Sequence, residues 1–167
     1  MLQLVITGRV WKFGDDMDTD VIAPGKYLAL PLDQLKNHAM EPLDPEFHKR
    51  VKPGDIMVAG RNFGCGSSRE QAPVVLKTLG VSAILAESFA RIFFRNAVSI
   101  GLPLLPCKGI SEAVNQGDLL EVNFETGQAK NLATGCVFVT KPLSSQMVEI
   151  LKAGGAISLL KKRLEKY

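Results

Sequence analysis

Residues 60–70 read Gly-Arg-Asn-Phe-Gly-Cys-Gly-Ser-Ser-Arg-Glu and lie between an apolar run and a helix-forming one. The three glycines let the backbone turn tightly and aim its N–H groups at one point. Arg69 adds a planar fork of donors that matches a carboxylate or a phosphate. Ser67 and Ser68 set two hydroxyls at the edge of the turn. The pattern describes an anion-binding loop around Gly64 and Gly66 with alcohols held beside the anion. A plain Gly-rich strand-to-helix turn with a capping serine has the same spacing, and spacing alone does not separate the two.

A second group is acidic. Asp16, Asp18 and Asp20 alternate in a short loop. A calcium loop needs further oxygen ligands at regular positions, and Met17, Val21 and Ile22 supply none. A turn-forming acidic cluster remains the simpler reading. The three cysteines, Cys65, Cys107 and Cys136, are far apart, with no Cys-x-x-Cys pair and no neighbouring histidine. That argues against a disulfide framework and against a metal site built by this chain alone. His38 and His48 lie in a charged stretch and read as surface residues.

These residues need a scaffold, and hydrophobic periodicity outlines one. Residues 2–11 alternate loosely and predict a first strand. Residues 15–20 form a carboxylate-rich loop that closes at Pro24-Gly25, and residues 31–40 predict a short helix with Leu32, Leu35 and Ala39 on one face. A turn at residues 52–55 precedes Ile56-Met57-Val58-Ala59, a buried strand that delivers the chain to the glycine loop. Ser67 and Glu70 have capping-box spacing, but a helix starting there would bury Pro73 in its interior. A start near Glu70 or Gln71 puts Pro73 harmlessly in the first turn and leaves Ser67, Ser68 and Arg69 on the loop. The helix N-terminus then adds positive potential behind them.

Residues 81–87 predict another buried strand and residues 89–100 a helix, with Ile92, Phe93, Ala97 and Ile100 at core spacing. A strand at 102–105, a short helix at 110–116, a hairpin around residues 125–127 and a strand at 137–139 follow. The C-terminal residues, about 143–167, are helical with a break at Gly154-Gly155. This order predicts an α/β domain in three β/β/α layers, with a partly parallel central sheet and a barrel-like β region beside it.

Length fits a single domain over residues 1–167. Hydrophobic residues make up 46% and charged residues 22%, enough to bury a full core. Apolar runs fall short of a membrane span. The N-terminus lacks the pattern of a signal peptide, so the expectation is no membrane partner and a cytoplasmic location. Net charge is +3, and the basic cluster Lys161-Lys162-Arg163 reads as a solvated helix face rather than a nucleic-acid site.

Two motifs carry a resemblance. Gly64-Cys65-Gly66-Ser67-Ser68-Arg69-Glu70, followed by residues 83–96 (Ala-Ile-Leu-Ala-Glu-Ser-Phe-Ala-Arg-Ile-Phe-Phe-Arg-Asn) and Gly101-Leu102-Pro103, resembles the swivelling domain of the aconitase superfamily. Residues 16–28, Asp-Met-Asp-Thr-Asp-Val-Ile-Ala-Pro-Gly-Lys-Tyr-Leu, resemble its other signature. Within the superfamily the chain resembles the separately encoded small subunits of the 3-isopropylmalate dehydratase family, in their short prokaryotic form, over roughly residues 3 to 160.

The resemblance implies a hydro-lyase that moves a hydroxyl to the neighbouring carbon by dehydration and rehydration, from 2-isopropylmalate to 3-isopropylmalate, in leucine biosynthesis. It implies that Ser67 is the base, that Arg69 clamps a carboxylate in the catalytic group, and that Ser68 and Asp20 bind substrate. It further implies that Tyr27, Leu28, Ala29 and Leu30 read the variable arm of the substrate. Homoaconitase-like members carry arginine at the third of these positions. Ala29 between two leucines instead suits a branched alkyl group and leaves an extra carboxylate unpaired. No cofactor is expected on this chain. The [4Fe-4S] cluster is expected on a large partner subunit, without which this one is inactive. Homoaconitase, a dehydratase for another alkylmalate and a non-catalytic phosphate-binding module are the alternatives; the last gains nothing from Asp20.

Overall fold

The computed structural model of the chain describes residues 4–167. The expected strand over 2–11 is β1, Val5–Lys12, and its first two positions lie outside the described residues. The acidic loop is not wholly irregular. It contains a one-turn helix, α1, Thr19–Ile22, because the Asp18 carboxylate accepts the Asp20 N–H at 2.6 Å and caps it. The helix expected over 31–40 is shorter, divided into α2, Leu32–Leu35, and a 3₁₀ turn, Lys36–His38. Leu35 and Ala39 are buried, but Leu32 is 41% exposed. A further turn of helix, α3, is Phe47–Arg50.

The parallel half of the fold alternates strand and helix: β2, Ile56–Ala59; α4, Gln71–Thr78; β3, Ala83–Ala86; α5, Arg91–Ser99; and β4, Leu104–Pro106. After α6, Ile110–Ala113, the chain becomes a meander of β5, Leu119–Asn123, β6, Gln128–Asn131, and β7, Val137–Val139. Helices α7, Ser145–Lys152, and α8, Ala156–Leu164, close it. All seven strands form one sheet in the order β4-β3-β2-β1-β5-β6-β7. Pairings among β1 to β4 are parallel, while β1·β5, β5·β6 and β6·β7 are antiparallel.

Alternation along the buried strands feeds two cores. Met57, Ala59, Ile84, Ala86 and Leu104 face the helical side with Val75, Leu76, Phe93 and Ala97. Ile56, Val58, Ala83, Leu85 and Leu105 face the other way and meet Leu120, Val122, Phe124 and Ala129 of the antiparallel half. The sheet curls over its own second face, giving the β/β/α layering expected from the element order. Each fully buried large apolar side chain contributes about 1.5–3 kcal/mol. Asp55 is buried but satisfied, its carboxylate accepting Trp11 Nε1–H and Lys52 N–H, both at 2.8 Å.

Helix α4 begins after Glu70, with Pro73 in its first turn and no cap from Ser67, as the proline required. Helix α5 departs from expectation at Ile92, which is 55% exposed while Phe93 and Ala97 are buried. The histidines are half-buried rather than free on the surface: His38 stacks on Tyr27 and pairs with Glu41. Among the described residues no helix is long and apolar enough to cross a membrane.

Candidate active site

The glycine loop leaves the carboxyl end of β2, and the segment entering α5 leaves the carboxyl end of β3. Crevices at the carboxyl ends of parallel strands are where α/β folds bind ligands. Three hydrogen bonds tie the segments together. Phe63 N–H donates to Ser88 O at 3.0 Å, Ala90 N–H to Phe63 O at 2.9 Å, and Asn62 N–H to Ser88 Oγ at 2.9 Å. Between them opens a cleft of about 310 Å³. Ser67, Ser68 and Arg69 of the glycine loop line it together with Arg91, Ile92 and Asn96 of α5 and with Thr19 of α1.

Tight packing shapes the loop. Gly64 has φ +83, and a Cβ there would sit 2.2 Å from the Phe93 ring. Its N–H donates to Met17 O at 2.7 Å, so Gly64 builds the loop rather than offering a donor. Gly66 has φ +94, and a Cβ there would lie 2.8 Å from both carboxylate oxygens of Asp18. Among the described residues, the N–H groups of Gly66, Ser67 and Ser68 find no partner. Three successive unpartnered donors on an exposed turn are the kind of backbone arrangement that can receive an anion. It lies two residues later than the glycine spacing suggested.

The acidic loop meets this turn through separate tasks for each carboxylate. Asp15 accepts Arg61 N–H at 2.7 Å, and Asp16 accepts Asn62 Nδ2–H at 3.1 Å. Asp18 caps α1. Asp20 alone turns to the guanidinium, accepting Arg69 Nη1–H at 2.5 Å and Gly25 N–H at 2.9 Å. Arg69 Nη1 also donates to Ala23 O at 3.1 Å. One nitrogen of the fork is thereby anchored, while Nη2 and Nε carry no hydrogen bond to the described residues. The hydrogen bond from Arg69, then that from Gly25, hold the Asp20 carboxyl below its ordinary range.

Cys65 shares the cleft, but burial and then the charges of Asp18 and Asp16 raise its thiol pKa. That shift disfavours the thiolate, the form a nucleophilic cysteine uses. An iron–sulfur cluster does not fit the described residues of this chain. No group of three or more His, Cys, Asp or Glu side chains converges among them, and Cys107 is buried while Cys136 is exposed.

Residues 27–30, expected to read the substrate arm, sit apart from the cleft. Leu28 and Leu30 line a second groove of about 350 Å³ with Leu32, Leu35, Gln71 and Val74. Glu70 borders that groove and Arg69 the serine cleft, so the α4 start divides the two. Ala29 is exposed and lines neither. Tyr27 faces away, its hydroxyl donating to Glu41 at 2.9 Å and its ring stacked 3.6 Å from that of His38. Sequence reasoning did not assign Thr19, Arg91 and Asn96 to the site. The position of Arg91 just past a buried parallel strand was the available signal.

The model of the aconitase C-terminal domain matches residues 23–109. The isopropylmalate/citramalate isomerase small subunit of Methanocaldococcus jannaschii is 57% identical over 98% of each chain. The methanogen homoaconitase small subunit of Methanothermobacter thermautotrophicus is 51% identical over 96% of this chain and 94% of its own. The crystal structure of a 3-isopropylmalate dehydratase chain from M. jannaschii superposes with a TM-score of 0.89 at 42% identity, covering 95% of each.

Proposed function

The chain belongs to the aconitase C-terminal domain family, and on that premise we propose that it is the small subunit of a hydro-lyase interconverting 2-isopropylmalate and 3-isopropylmalate. The observation that carries the reading is the cleft itself, where Ser67 stands beside three free backbone donors and a guanidinium half-committed to Asp20. An alkoxide needs such surroundings, because a serine oxygen is a poor base unless directed dipoles and a cation stabilise its charge.

In the reaction Ser67 takes the proton from the carbon next to a carboxylate. That electron pair becomes the second bond of the alkene as the carbon–hydroxyl bond breaks. The hydroxyl leaves as water with a proton from the partner's side, and readdition at the neighbouring carbon completes the isomerisation without net oxidation. Arg69 offers its free nitrogens to one carboxylate, with Asp20 setting the plane of the fork. Ser68 and the N–H groups of residues 66–68 hold the substrate. Gly64 keeps the turn in shape. The cluster belongs to a large subunit, with which this chain acts as one swivelling domain in the cytoplasm.

The choice of an alkyl arm rests on Leu28 and Leu30, which line the neighbouring groove, and on exposed Ala29 between them, none of which offers a cation to a third carboxylate. Tyr27 braces that segment from behind through His38 and Glu41. A homocitrate-type substrate would leave a charge unpaired at a cost of several kcal/mol. The test is reconstitution with a cluster-bearing large subunit and kcat/KM for 2-isopropylmalate, citramalate and homocitrate. Turnover only in the complex, with an alkylmalate preferred, is expected. A preference for homocitrate would move the assignment to homoaconitase, and turnover by the isolated chain would overturn the two-subunit reading.

A further inference from the structure

We infer that Thr19 is a positioning residue for the catalytic serine, with a hydroxyl proton that turns from the Ser67 carbonyl to the Ser67 hydroxyl oxygen as charge develops there. This rests on the reading of Ser67 as the base. Thr19 is 1% exposed, the most buried hydroxyl at the cleft. Its Oγ1 donates to Ser67 O at 2.9 Å and lies 3.4 Å from Ser67 Oγ. Both acceptors therefore belong to one residue and lie within reach of one rotating proton.

The main chain of Thr19 is fixed independently of its side chain. Its N–H donates to Cys65 O at 2.9 Å, and the Asp18 cap holds the start of α1 in place. The hydroxyl is thus a rotor on a rigid mount. While Ser67 is neutral, the carbonyl is the better acceptor, and Thr19 can accept the Ser67 proton in return. Once Ser67 has lost its proton, the alkoxide is the stronger acceptor, and a small rotation of one O–H supplies a donor from the side away from the substrate. Burial keeps water from taking over that task. The carbonyl of Ser67, on an exposed turn, can be satisfied by solvent instead.

A donor used only in the charged state lowers the barrier without changing ground-state binding. Removing a single such donor in other active sites costs about 10²–10³ in kcat. Here the donor is one of several, so Thr19→Val, which keeps the shape and removes the hydroxyl, is expected to lower kcat about 10- to 100-fold. KM for the alkylmalate should stay within about twofold, and Thr19→Ser should restore most of kcat. If Thr19→Val proves unstable in a urea melt, Thr19→Cys, with a weak donor of similar size, gives the same reading.

The decisive comparison is a cycle with Ser67→Ala in the reconstituted complex. In the Ser67→Ala background Thr19→Val should have no further effect on kcat, because the oxygen it serves is gone. Near-normal kcat for Thr19→Val, or a loss confined to KM, with Ser67→Ala still crippled, overturns this inference alone. Near-normal kcat for Ser67→Ala overturns the base assignment and this inference together. An equal further loss from Thr19→Val on top of Ser67→Ala shows that the hydroxyl only holds the loop, and also overturns it.

Discussion

Replacing Gly66 by alanine links the shape of the loop to its chemistry through a contact that can be counted. At φ +94 an L-residue is strained, and that alone costs about 1–2 kcal/mol. The new methyl would begin 2.8 Å from each Asp18 carboxylate oxygen, inside ordinary contact. Asp18 must swing away, which breaks its 2.6 Å hydrogen bond to the Asp20 N–H and removes the cap of α1. Loss of such a cap costs about 1 kcal/mol. The sum, about 2–3 kcal/mol, is a substantial part of the 5–15 kcal/mol that typically holds a domain together. For a chain of this size it corresponds to a fall in Tm of about 4–12 °C.

Activity should fall too, because α1 carries Asp20 to Arg69 and Thr19 to Ser67. A misplacement of about 1 Å in such a group can cost 10²-fold, so kcat/KM should drop between about 10- and 100-fold. The assay is a urea melt of the chain alone and steady-state kinetics of the complex, for Gly66→Ala with and without Asp18→Ala. In the Asp18→Ala background the steric part is gone, and Gly66→Ala should then cost only its backbone strain. A loss below about 0.5 kcal/mol, with kcat/KM within threefold of wild type, would refute the packing of residue 66 on Asp18. An equal loss in both backgrounds would show that Asp18 is not the contact that matters.

Four other outcomes are expected. Arg69→Lys keeps the charge but cannot hold Asp20 and a carboxylate in one plane, so kcat should fall and KM rise together, and an unchanged kcat/KM would make the guanidinium structural. Ala29→Arg should reverse the preference between alkylmalate and homocitrate-type substrates by about 10²-fold or more, and identical preferences in both proteins would remove that segment from substrate reading. Burial pushes the Cys107 thiol up to about 11, while Cys136 is exposed. Alkylation at pH 8 followed by peptide mass spectrometry should therefore mark Cys136 first and Cys107 only after unfolding; early labelling of Cys107 contradicts the burial. The Asp20 carboxyl sits below its ordinary 3.8 in the folded state. Its pairing with Arg69 therefore stabilises fully above that pH and fades as pH falls through the lowered value, so the wild type should lose stability relative to Asp20→Asn in acid, and parallel pH curves would deny the pairing.

Much of the scaffold was legible in the chain because its causes are local. Ile56 to Ala59 and Ala83 to Ala86 are apolar throughout, the mark of strands buried on both faces, and all eight positions are buried. Pro73 dictated where α4 could begin, and so left Ser67, Ser68 and Arg69 on the loop. The two signature motifs meet in the fold through the pairing of Asp20 with Arg69, although only Thr19 of residues 16–28 lines the serine cleft. Tertiary structure alone decided how the four carboxylates at 15, 16, 18 and 20 divide their work, that the Gly64 N–H is spent on Met17, and that Tyr27 turns to His38 and Glu41. It also brought Ile92 and Arg91 to the cleft and set Thr19 beside Ser67. The physical reason is range. Periodicity and turn chemistry report on neighbours within a few positions, whereas the bonds that join the acidic loop to the glycine loop span 45 to 49 residues. Their partners are chosen by how the sheet brings two strand ends together, which no local pattern encodes.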